Sequence, residues 1–158
     1  MTHVLAEAHT RATPTDVWKM WTDVAGSPAW DQDVDWSRLD GAFCPGTTGA
    51  FKLKEGPRLR FTLDRVELLR AYANTVRLPG LRLQFTHEMQ SHPEQGLLVR
   101  HGAHIGGPLG WLVRPLLQKK LQSALQVALH NMVWLAERNA TAPSASAPAQ
   151  RPAAQGLA

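Results

Sequence analysis

Cysteine is nearly absent from this chain: Cys44 stands alone among 158 residues. No intrachain disulfide can form, and no cysteine-based zinc cluster is available. A reducing, cytoplasmic setting is the expectation. Long apolar runs are also missing. No stretch of about 18 apolar residues occurs, so stable membrane insertion is not expected. The opening Met1-Thr2-His3-Val4-Leu5 has no basic segment leading into an apolar one, so no secretory leader is expected.

Acidic residues become scarce toward the end. Residues 1–95 carry 11 basic and 12 acidic groups, whereas residues 96–158 carry 6 and 1. The basic excess is sparse, and Lys119-Lys120 is its only cluster there. A nucleic-acid partner would need a stripe of such groups, so none is expected. Gly106-Gly107-Pro108-Leu109-Gly110 lacks the spacing and the lysine of a phosphate loop, and reads as a strand-to-helix junction. Cys44 has no partner base in sequence to make it a nucleophile. Residues 140–158, ATAPSASAPAQRPAAQGLA, hold no aromatic residue and one charge. They offer nothing to offset the entropy of ordering, and are expected to form a disordered tail after a domain of residues 1–139.

The rest is well patterned. Thr13-Pro14-Thr15-Asp16 offers a threonine cap, a proline at the first helical position and an acid that can reach back. A helix follows to about Val24, with Val17, Met20, Trp21 and Val24 at spacings of three and four. Ser27-Pro28 repeats the signal of a cap followed by proline, for a second, very short helix holding Ala29 and Trp30. A strand is expected before this elbow, at His3–Arg11. Six more follow it, joined by turns such as Glu55-Gly56-Pro57 and Pro79-Gly80. A long helix then runs to about Arg138. Leu117, Leu121, Ala124, Leu125, Ala128, Met132 and Leu135 form its apolar stripe, with Lys119, Gln126, His130 and Glu137 opposite.

The predicted fold is α+β. A curved antiparallel sheet of about seven strands wraps a long C-terminal helix, with two short helices after the first strand. One helix over a curved sheet leaves room for a cavity.

These residues resemble a known family. Ala12-Thr13-Pro14-Thr15-Asp16-Val17-Trp18, Trp21-Thr22-Asp23-Val24, Ser27-Pro28-Ala29-Trp30-Asp31 and Asp40-Gly41 carry the likeness. So do Phe43-x-Pro45-Gly46-Thr47, Arg60-Phe61-Thr62-Leu63-x-x-Val66 and Gly107-Pro108-Leu109. Over residues 1–138 the chain is similar to the START-like (SRPBCC) helix-grip superfamily, in its polyketide cyclase/dehydrase and lipid-transport branch. The resemblance implies the fold. It does not choose among carriers, cyclases and aromatases, or receptors.

The expected function is binding or transport of a small to medium hydrophobic molecule, such as a lipid, polyketide or aromatic compound. No cofactor and no metal are expected. The cavity is expected to be lined by Phe51, Leu53, Phe61, Leu63, Tyr72, Leu83, Phe85 and Val99 from the sheet. Trp30 and Trp36 are candidates for its rim, and Ala124, Ala128 and Asn131 for its helical wall. His87 and His101 fall on the apolar phase of neighbouring strands. They are either a polar pair inside the cavity or groups near strand ends. Arg65 continues the inward phase of Leu59, Phe61 and Leu63, but Val66-Glu67-Leu68-Leu69 suggests a phase break that turns it outward. Asp31, Asp33 and Asp35 alternate, which places them on one strand face, exposed rather than metal-binding. One alternative is a polyketide cyclase, aromatase or dehydratase using a histidine as acid or base. A second is a protein-interaction module with a filled core and an exposed apolar patch.

Overall fold

The computed structural model describes residues 2–142. Strand β1 (Thr2–Thr10) leads into helix α1 (Pro14–Thr22) and a short 3-10 helix (Val24–Ala29). Six strands follow: β2 (Val34–Leu39), β3 (Thr48–Leu53), β4 (Arg58–Glu67), β5 (Ala71–Leu78), β6 (Leu81–His92) and β7 (Gly96–Gly106). Helix α2 (Gly110–Thr141) closes the described chain. The sheet has seven antiparallel strands in the order β1-β7-β6-β5-β4-β3-β2. The fold expected from the sequence is the fold observed.

Helix α1 starts as its cap sequence dictates. The Asp16 N–H donates to Thr13 Oγ1 at 3.2 Å, and the Thr13 N–H donates back to Asp16 Oδ2 at 2.9 Å. Hydrogen bonds from Thr13 hold the Asp16 carboxyl below its usual range. Thr13→Ala is therefore expected to cost about 1 kcal/mol, lowering Tm by about 2–4 °C. A thermal melt that does not move would show that the box contributes nothing.

The second helix differs from its expectation. It is capped by Asp23, whose Oδ1 accepts from the Gly26 N–H at 3.1 Å, and Pro28 lies inside it. Ser27 is not the cap. The three aspartates also differ. Strand β2 begins only at Val34, so Asp31 and Asp33 sit in the link before it rather than along a strand face. Asp31 is half-buried and Asp33 exposed.

The sheet's two faces follow from register, because directly paired residues share a face. One concave row runs Ala6, His101, His87, Tyr72, Val66. Another runs Ile105, Leu83, Val76, Phe61, Gly49. The register of β4 slips between Leu63 and Arg65, which puts Val66 inside and Arg65 outside. Arg65 pairs there with Glu67 and Glu88. Gly49 has no room for a side chain: a Cβ would lie 2.3 Å from Phe61 Cζ.

Helix α2 lies across β1 and β7 and against α1. Its C-terminal half is fastened by the buried Leu125, Ala128, Leu129, Met132, Val133 and Ala136. Glu137 was expected on the outer face. Instead it accepts from Thr10 Oγ1 at 2.7 Å and from the Arg11 N–H at 3.0 Å, tying the helix to the end of β1. The helix includes Ala140 and Thr141, so the boundary expected at 139 falls inside it. The remainder of the expected tail, residues 143–158, lies outside the described residues.

The start of α2 is fixed by backbone contact. The Leu109 N–H donates to Gly80 O at 2.8 Å, and Gly107 adopts φ 92° where a Cβ would meet that same oxygen. Beyond this junction Leu109, Trp111, Leu112 and Leu116 are exposed. No helix among the described residues is long and apolar enough to cross a membrane.

Candidate functional site

Strand pairing and the elbow together build one buried polar cluster. The row His101–His87–Tyr72 crosses three neighbouring strands, and all three residues are buried. The Tyr72 and His87 rings stack with centroids 4.0 Å apart, and the two imidazoles lie 4.5 Å apart. From the elbow, Trp21 enters edge-on to Tyr72 at 5.5 Å, and Trp30 approaches His101 at 6.1 Å. Phe43, from the β2–β3 link, covers Tyr72 at 5.2 Å. Both histidines thus belong to the interior rather than to strand ends.

One hydrogen bond fixes a tautomer. Trp21 Nε1–H donates to His101 Nε2 at 3.2 Å. An indole nitrogen is donor only, so His101 Nε2 accepts and Nδ1 carries the proton. Burial lowers the His101 pKa to about 3. Burial, and secondarily the neighbouring His101, holds His87 well below its ordinary value. Both rings are therefore neutral near pH 7. Burial raises the Tyr72 phenol, with a further push from Asp31. Burial also raises Asp31 to about 6, against the opposing hydrogen bond from the Asp33 N–H.

Two atoms of this cluster lack partners. Trp30 Nε1 and His87 Nδ1 are buried with no hydrogen bond. Unpaired buried polar atoms are uncommon and costly, and they mark places where another group can be received.

The other expected lining residues divide. Leu63, Phe61, Leu83 and Val99 are buried in the core. Phe51 and Phe85 face the concave side but keep accessible surface, as does Leu59 beside them. Leu53 pairs with Val34 at the sheet's far edge and covers Gly56, away from the core cluster. Trp36 corrects its expectation outright. A bulge after Val34 sets it opposite Lys52 on the convex face, where the Arg58 guanidinium lies 5.4 Å from its ring. Trp30 is buried rather than at a rim. Asn131 joins helix to elbow, its Nδ2 donating to Trp30 O at 3.1 Å. Ala128 is packed in the core. Ala124 instead lines an open cleft of about 480 Å³ between Gln32-Asp33 and the flank of α2 at Leu116, Lys120 and Val127. Among the described residues, no group of three or more His, Cys, Asp or Glu is placed to hold a metal ion.

The polyketide cyclase/dehydrase and lipid transport family matches residues 1–137, nearly the whole described domain. The chain belongs to this family. Solved structures agree on the fold. A Thermus thermophilus protein is 18% identical with a TM-score of 0.68, covering 89% of this chain and 100% of its own. A point mutant of Thalictrum flavum norcoclaurine synthase, bound to a transition-state analogue, is 12% identical with a TM-score of 0.69. It covers 89% of this chain and 96% of its own. Ara h 8.0201 is 14% identical with a TM-score of 0.61, covering 84% and 98%. At such identities the likeness concerns fold alone. No curated protein matches.

Sequence reasoning placed Asp31 beside the elbow, in an enzyme at a cavity mouth, and missed that it is a half-buried neighbour of Tyr72. Its signal was its position one residue after Trp30, the elbow's buried ring. It also missed Arg114, which sits on the inward stripe of α2.

Proposed function

We propose that this family member binds a small to medium hydrophobic molecule in a groove between the concave sheet and the N-terminal half of α2. The observation that carries the reading is apolar surface that the helix covers only in part. Phe51, Leu59 and Phe85 face inward, yet α2 packs on β1, β7 and α1 and leaves them accessible. Apolar surface of this kind is stabilised when a ligand removes it from water.

The test is native mass spectrometry of the purified chain with extraction of co-purifying lipids, alongside binding of an apolar fluorescent dye. Micromolar dye affinity, reversed by the extracted compound, is the expected result. Phe85→Glu places a charge in the groove at a half-exposed site, and is expected to weaken dye binding tenfold or more without unfolding the domain. A folded Phe85→Glu variant with unchanged affinity would put the dye elsewhere and end this reading.

One arrangement favours the cyclase or dehydratase alternative. Asp31 is raised to about 6, close to neutral pH, and its charge reaches Tyr72, which stacks on neutral His87. A carboxyl so tuned can exchange protons near neutrality. Under that reading Asp31→Asn abolishes turnover of a bound polyketide-like substrate while leaving its affinity intact.

A further inference from the structure

Arg114 occupies a position where the pattern of α2 calls for an apolar side chain. Gly110, Arg114, Leu117, Leu121, Leu125, Ala128 and Met132 follow one another at intervals of three and four. Gly110, Leu125, Ala128 and Met132 are buried, and Leu117 and Leu121 pack against the core. Arg114 lies one turn after Gly110, whose backbone packs near Ile105 of β7. Its Nε is buried with no partner, while the residue as a whole is only half-buried. Its Nε is thus sealed on the stripe of α2 that faces the sheet, next to the groove proposed above.

Nothing charged answers it. Among the described residues Arg114 takes part in no ion pair. The only acid on α2, Glu137, is at the far end and engaged by Thr10. The concave row nearest the helix start, Ile105, Leu83, Val76 and Phe61, is apolar. A cation on an inward stripe, with no counter-charge, is destabilising unless another molecule brings one.

We propose that Arg114 receives the carboxylate of a hydrophobic acid whose apolar body lies in the groove. The inference rests on the ligand-binding reading above and names the ligand class. A guanidinium is suited to the task because its planar fork meets a carboxylate in two parallel hydrogen bonds. Phe51, Leu59 and Phe85 would take the chain or ring.

The experiment compares dodecanoate with dodecanol by isothermal titration calorimetry, on wild type, R114M, R114K and K119Q. Wild type is expected to bind the acid roughly ten- to a hundred-fold more tightly than the alcohol. R114M is expected to erase that preference and keep its affinity for the alcohol. R114K keeps part of the preference, because an ammonium retains charge but not the fork. K119Q, which removes an exposed cation on the same helix, leaves the preference intact. Equal wild-type affinity for acid and alcohol overturns the role of Arg114 while the ligand-binding reading stands. Binding of neither overturns both. Ligand-free R114M is expected to melt no lower than wild type, since it removes an unpaired buried donor. A clear drop in its Tm, or equal weakening of both ligands, assigns Arg114 a structural role and overturns the proposal.

Discussion

Trp21→Ala is expected to lower stability by about 3–5 kcal/mol, the range for removing a large buried aromatic side chain. For a chain of this size that is a fall in Tm of roughly 6–20 °C. Trp21 is 2% exposed and touches Trp18, Tyr72, His87 and His101. It is the place where the elbow is fastened to the sheet. The substitution also strips His101 Nε2 of its only donor in the cluster. Trp21→Phe separates the two effects. It keeps most of the ring and loses the N–H, with an expected cost of about 1–3 kcal/mol for the unpaired acceptor. Differential scanning calorimetry on both variants gives the comparison. A Trp21→Ala protein melting within 2 °C of wild type would mean that the elbow docks by other contacts.

How much of this was legible in the sequence depends on the length scale of the physics. The Thr13–Asp16 box is local, and four adjacent residues specify it. The strands were legible because alternation and turn residues act over a few positions. Even the outward turn of Arg65 could be read, since Val66-Glu67-Leu68-Leu69 cannot keep the phase of Leu59, Phe61 and Leu63. The failures lie where distant segments meet. The outward face of Trp36 follows from a bulge in the pairing of β2 with β3, and nothing in Asp35-Trp36-Ser37 announces it. The inward turn of Glu137 depends on where β1 ends relative to the last turns of α2. Ala124 and Ala128 have the same size and the same apparent phase, yet one is packed and the other lines an open cleft. The site was half legible. His87 and His101 share a phase that a sequence can show. Their enclosure by Trp21, Trp30 and Phe43 is a tertiary fact that periodicity does not carry. Arg114 was legible in principle, being a basic residue on an apolar stripe, but Pro115 beside it blurred the phase at the helix start.

Acid should unfold this domain by way of its neutral histidines. His87 and His101 have folded pKa values below 6.5, with His101 at about 3, because burial disfavours the imidazolium. The unfolded chain binds protons at both sites once pH falls below about 6.5, and the folded chain does not. Stability present above that pH is therefore lost progressively on acidification, down to the folded values. Asp31 works the other way. Its folded pKa of about 6 exceeds its ordinary 3.8, so the folded state takes up that proton first and gains stability as pH falls through that interval. Between pH 7 and 4.5 the unfolded chain takes up a proton at each histidine, and the folded chain takes one up at Asp31. Over the roughly 2 pH units below 6.5, His101 costs on the order of 3 kcal/mol, His87 adds to that loss, and Asp31 returns on the order of 2 kcal/mol. The net expectation is a loss of stability, since His101 alone outweighs Asp31 and His87 adds to it. Asp16 and Glu137, whose hydrogen bonds hold them below their ordinary values, add to the loss only below about pH 4.5. Urea titrations at pH 7.0, 5.5 and 4.5 test the slope, and Asp31→Asn tests its composition. Without the compensating carboxyl, the loss over the same interval should grow by on the order of 2 kcal/mol. A urea midpoint that stays flat from pH 7 to 4.5 in the Asn variant would mean that the imidazoles take up protons in the folded state. The interior row Tyr72–His87–His101 would then have to open to water, and the neutral, tautomer-fixed cluster described above would be wrong.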